Sequence, residues 1–107
     1  PPPSPLPLKN RLKRYPSPEE ELDLHGFTAA QAAARTESWV RQLWRGGFFT
    51  LRIIVGRGIH SQFGPVLPDV VEDILIRLKR EGTVLWFEWD RKRKHQSGSV
   101  IIYLKQF

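Results

Sequence analysis

At 107 residues, 40% of them hydrophobic, the chain is long enough to form one domain with one core. It contains no cysteine, which excludes disulfides and thiolate-bound metals and makes a cytoplasmic setting the natural expectation. The net charge of +6 suggests affinity for polyanions, while no apolar run approaches the roughly 18–20 residues of a membrane helix, so no membrane partner is expected.

Residues 1–18 hold most of the prolines and read as an extended, flexible arm or linker with a basic centre. Lys9, Arg11, Lys13 and Arg14, with no acid among them, supply four of the six net charges, so 19–107 carries only +2. Where the charge sits therefore matters more than its total. Leu6, Leu8, Leu12 and Tyr15 would let the arm lie across the domain. The chain opens on proline rather than methionine, as expected of a piece of a longer protein.

Leucines alternate with ionisable residues in Glu21-Leu22-Asp23-Leu24-His25, which predicts a strand over 21–25 with Asp23 and His25 on one face. Gly26 permits a sharp exit, and Thr28 with Gln31 has the spacing of a capping box. From about Thr28 to Arg45, Ala29, Ala33, Thr36, Val40, Leu43 and Trp44 recur near helical spacing, and Gly46-Gly47 closes that helix. Leu51 to Val55 is a largely apolar, β-branched run suited to a central parallel strand. The glycine-rich loop Gly56 to Gly64 follows. A second helix should begin between Pro65 and Asp69, since proline is tolerated only in a first turn, and end at Gly82. Val84–Trp89 and Val100–Leu104 are the last two strands, with the basic loop Asp90 to Ser99 between them.

Strands alternating with single amphipathic helices imply parallel pairing through right-handed crossovers, which places both helices on one face of the sheet. The expected fold is thus α/β: a two-layer sandwich of order β-α-β-α-β-β with a four-stranded sheet. The other face is covered by no predicted element, unless the arm or a partner lies there. Parallel strands share one carboxyl rim, and ligands of open α/β sheets generally sit at such rims. Three loops converge there: Asp23 to Gly26, the glycine loop, and the basic loop.

Asp23 and His25 are candidates for a carboxylate–imidazole pair that transfers protons. The alternative is that Asp23 bonds neighbouring backbone and His25 caps a turn. Gly56-Arg57-Gly58 is too short for a dinucleotide fingerprint, but its amides and Arg57 suit an anion, with Ser61 adding a hydroxyl. His60 is a candidate second proton-transfer group. Arg91, Lys92, Arg93, Lys94 and His95, with Gly98 behind them, form the strongest nucleic-acid cue, since clustered cations contact successive phosphates. Whichever tryptophan of Trp86 and Trp89 faces the open side could stack a base, though core packing is the commoner role. Glu88 and Asp90, joined by Asp23 and one histidine, could hold a divalent metal such as magnesium, but no established ligand spacing is present.

Leu22-Asp23-Leu24-His25-Gly26, then Arg52 to Ser61, then a basic-to-glycine loop before a last apolar strand together resemble the small MutS-related (Smr) domain. The likeness covers about residues 20–106. It implies a sandwich like the C-terminal domain of translation initiation factor three, with the fourth strand antiparallel to the others and lying between the second and third. It also implies nicking or cleavage of DNA and, in some members, of RNA. Asp23 and His25 match the family's acidic and histidine motif residues, and Gly56, Arg57 and Gly58 its second motif. Val55 stands where many members have threonine or histidine, and Gln96-Ser97-Gly98 keeps one glycine where others have two. The expected function is a nucleic-acid-binding domain with endonuclease activity on DNA or RNA and limited sequence specificity. A non-catalytic binding module and a protein-interaction domain of a larger protein are the alternatives.

Overall fold

The computed structural model describes residues 17–56 and 67–107. Its elements are β1 (Glu20–Asp23), α1 (Ala29–Arg45), β2 (Thr50–Ile54), α2 (Leu67–Arg80), β3 (Val84–Trp89), a short 3-10 turn (Lys94–Gln96) and β4 (Ser99–Leu104). This is the expected order. The N-terminal arm falls almost entirely outside the described residues.

The strands form one sheet in the order β1-β2-β4-β3. β1 pairs with β2 in parallel, Leu22 opposite Ile53, and β4 runs antiparallel to both β2 and β3. β1, β2 and β3 therefore point the same way, with β4 inserted between the last two. Successive strand residues face opposite sides, so Leu22 and Leu24, Leu51, Ile53 and Val55, and Val100, Ile102 and Leu104 all turn to one face. There they form a single core with Ala32, Trp39 and Val40 of α1 and Val71, Leu75 and Leu78 of α2. Both helices lie on that face, as two crossovers of one hand require.

Local chemistry accounts for the helix ends. The Gln31 N–H donates to Thr28 Oγ1 (3.1 Å) and the Thr28 N–H to Gln31 Oε1 (3.0 Å), so the capping box is complete. The Phe48 N–H donates to the Leu43 carbonyl and the Gly47 N–H to that of Trp44, the two bonds of a Schellman motif. The same pattern at Gly82 ends α2. Pro68 occupies the first turn of α2, where the missing N–H costs nothing. The buried stripe of α1 is centred on Ala32, Thr36, Trp39 and Val40 rather than on Ala29 and Ala33. Runs of small alanines lack the contrast that would reveal which side packs. An ion-pair cluster, in which Glu37 binds Arg41 and Arg77 and Arg41 binds Glu81, links the two helices.

β1 ends two residues earlier than the alternation predicts. Leu24 still donates to the Ile54 carbonyl (2.9 Å), but the Phe27 N–H then donates back to the Leu24 carbonyl (2.9 Å), turning the chain. His25 therefore sits in a turn and not on the strand, so the face-sharing argument for Asp23 and His25 does not apply.

Candidate functional site

The carboxyl ends of β1, β2 and β3 and the start of β4 meet at one rim, held by backbone hydrogen bonds. Leu24 bonds to Ile54. The Val55 and Gly56 N–H groups both donate to the Gly98 carbonyl, at 2.9 and 3.3 Å, and Asp90 N–H donates to Ser99 (3.0 Å). The His25 turn, Gly56, Gly98 and the basic hairpin are thereby fixed side by side. The first turns of α1 and α2 open toward the same rim, and helix N-termini present unpaired N–H groups and a positive dipole end that favour anions.

Within the β1 turn, the Asp23 carboxylate accepts the backbone N–H of His25 at 2.9 Å. This is the backbone-bonding alternative, since among the described residues no hydrogen bond joins Asp23 to the imidazole. Both side chains are exposed. Asp23 thus sets the turn that carries the imidazole, and the ring remains open to solvent. Gly26 completes this turn at φ +83° and Gly56 ends β2 at φ +84°, the left-handed region that side chains avoid. Arg57, Gly58, His60 and Ser61 lie outside the described residues.

The five predicted basic-loop residues divide into two groups. Arg91, Lys92 and Arg93 are exposed, and among the described residues their side chains make no ion pair. Lys94 instead bonds to Asp69 (2.7 Å) and Glu72 (2.8 Å) in the first turns of α2, and His95 Nε2 lies 2.8 Å from the same Asp69 oxygen. The Lys94 hydrogen bond, and secondarily that of His95, holds the Asp69 carboxyl below the usual carboxylate range, and Asp69 in turn raises the Lys94 ammonium. Lys94 and His95 were expected to contact nucleic acid. The sequence shows four cations and a histidine in a row, whereas acids carried by α2 engage Lys94 and His95.

Ser97, which the sequence did not single out, is the buried post of this hairpin. Its hydroxyl accepts the Arg91 N–H and donates to the Arg93 carbonyl, both at 3.1 Å. The Asp90 carboxylate accepts the Gly98 N–H (3.1 Å). A serine followed by glycine at a loop's close was the one available signal.

Trp89 packs against the core and its indole N–H donates to Glu72 (2.9 Å), while Trp86 is the tryptophan on the other face, paired with Tyr103 of β4. Among the described residues no three His, Asp or Glu side chains are grouped closely enough to hold a metal ion. The envisaged cluster of Asp23, Glu88 and Asp90 does not gather, because β1 and β3 lie at opposite edges of the sheet with β2 and β4 between them.

Comparison with known proteins agrees with this geometry. No curated protein sequence matches the chain. Among solved structures, it is similar to the Smr domain of Thermus thermophilus MutS2, with a TM-score of 0.61 and 23% identity over 80% of this chain and 98% of that one. It is also similar to the human small-MutS related domain, with a TM-score of 0.51 and 25% identity over 78% of this chain and 99% of that one. The first likeness is one of fold alone. Residues 22–105 match the family described as Smr domain, a stretch that contains the β1 turn, Gly56 and the basic hairpin. The chain belongs to the Smr domain family, which is associated with nucleic-acid binding and nuclease activity.

Proposed function

We propose that this domain binds DNA or RNA across its rim and cleaves or nicks the phosphodiester backbone there. The observation that carries the reading is the bonding of Leu24 to Ile54 and of Val55 and Gly56 to Gly98, which brings the β1 turn, Gly56 and the hairpin to one place. Arg91, Lys92 and Arg93 hold the backbone by its phosphates, and these contacts are sequence-independent. His25 is the proton-transfer group. Its exposed imidazole takes the proton from the attacking oxygen or gives one to the leaving oxygen. Asp23 positions that ring through the turn. Cations and N–H groups at the rim stabilise the charge that develops on the phosphoryl oxygens. Arg57 and His60 are assigned anion-binding and second proton-transfer roles on their place in the sequence.

The test is nicking of supercoiled DNA and cleavage of single-stranded RNA by wild type and His25→Ala, with and without chelator. Cleavage that survives unchanged in the variant removes His25 from the reaction. A non-catalytic binding module is the second reading, favoured by the engagement of the Asp23 carboxylate with backbone. It is adopted if both proteins bind nucleic acid and neither cleaves it.

A further inference from the structure

Trp86 is 42% exposed, an unusual position for the side chain with the most apolar surface to bury. The register of β3 against β4 shifts between Val84 and Trp86, and this shift leaves both Leu85 and Trp86 on the surface while Phe87 and Trp89 return to the core. Among the described residues β3 is an edge strand, with no strand beyond it. The Lys79 ammonium sits over the indole, 4.2 Å from the centroid. A cation held on a tryptophan face is attracted by the ring and steadies it.

Charge around this edge is arranged for a polyanion. Lys79 and Arg80 stand at one end of β3, and the exposed Arg91, Lys92 and Arg93 at the other. Trp86 precedes Arg91 by five residues, about 16 Å at the rise of a strand. That is about five nucleotides at duplex spacing and fewer in an extended strand. Glu88 lies between, on the same face as Trp86, and would repel a phosphate passing directly over it. Phosphates are thus favoured at the two basic ends, with a base over the ring.

We propose that Trp86, steadied by Lys79, is a stacking subsite for a base of single-stranded nucleic acid, extending the rim along the β3 edge. The proposal rests on the nucleic-acid-binding part of the reading above and makes the domain prefer single strands, because bases within a duplex have their faces covered.

The experiment titrates wild type, Trp86→Ala, Trp86→Phe and Glu88→Gln with a 12-nucleotide oligothymidylate and with the duplex it forms with oligodeoxyadenylate, following anisotropy and tryptophan emission. Trp86→Ala should weaken single-strand binding by about 5- to 150-fold, the worth of one base–aromatic stack, and leave duplex binding nearly unchanged. Trp86→Phe should retain most of the affinity, and Glu88→Gln should raise it. Unaltered single-strand affinity in a folded Trp86→Ala protein overturns the subsite and leaves the rim reading standing. Failure of wild type to bind either probe overturns both. Emission that shifts with protein concentration and not with oligonucleotide assigns the edge to pairing between copies of the chain, and also overturns the proposal.

Discussion

The Asp23 carboxylate accepts the backbone N–H of His25 at 2.9 Å, closing the turn that presents the imidazole to the rim. An asparagine side-chain oxygen can accept the same bond, and alanine cannot. Asp23→Asn is therefore expected to keep most of the cleavage activity, whereas Asp23→Ala should lose about tenfold to a hundredfold, as small misplacements of a reacting group do. Single-turnover rates decide between them. Equal losses in both variants would assign the role to the charge of Asp23 and not to the turn.

His25→Ala should separate binding from chemistry. Loss of a positioned proton-transfer group costs on the order of 10²- to 10⁴-fold in rate. Affinity for an uncleavable oligonucleotide should stay close to wild type, since the phosphates are held by the cations of the hairpin. Measuring both on one preparation checks the assignment.

Gly26→Ala should destabilise by roughly 1–2 kcal/mol, the cost of a side chain in the left-handed region. A Cβ there meets nothing within 4 Å, so strain is the whole effect. Asparagine tolerates this region better and should cost less than alanine. Urea midpoints at constant m-value provide the comparison.

Neutralising Arg91, Lys92 and Arg93 together should reduce the salt dependence of duplex binding by about 2–3 in slope, one phosphate contact for each. Lys94→Gln should reduce it far less, because its ammonium is already bonded to Asp69 and Glu72. Affinities measured across a salt series separate the two. A Lys94 effect as large as that of one of the three exposed cations would mean that nucleic acid displaces Asp69.

The hairpin anchor should also be acid-sensitive. Asp69 is held below the usual carboxylate range by Lys94 and His95, so its folded state binds a proton less readily than its unfolded state. Its contribution is present above the ordinary carboxylate pKa and disappears as pH falls through the folded-state value. Wild type should therefore lose stability relative to Asp69→Asn on acidification below about pH 4. Thermal melting of both proteins from neutral pH downward reads this directly.

The fold was largely legible. Strand periodicity, the Thr28–Gln31 box and glycines at 46, 47 and 82 specify element types and ends through contacts within a few residues, and local chemistry of that kind is written in the sequence. The place of β4 between β2 and β3 came from family resemblance, because pairing between distant segments leaves no local periodic mark.

The site divides along the same line. By itself the sequence determined that Asp23 and His25 lie at the carboxyl end of the first strand and that Gly56 and a run of cations lie in loops, and parallel strands sent all of them to one rim. Only the tertiary structure decided which atoms engage. Asp23 turned to backbone when β1 ended early, and Asp69 and Glu72, carried in by α2, engaged Lys94 and His95. Hydrogen bonds and ion pairs form between whichever groups the packing of the elements brings within about 3 Å, a condition that residue order along the chain does not record.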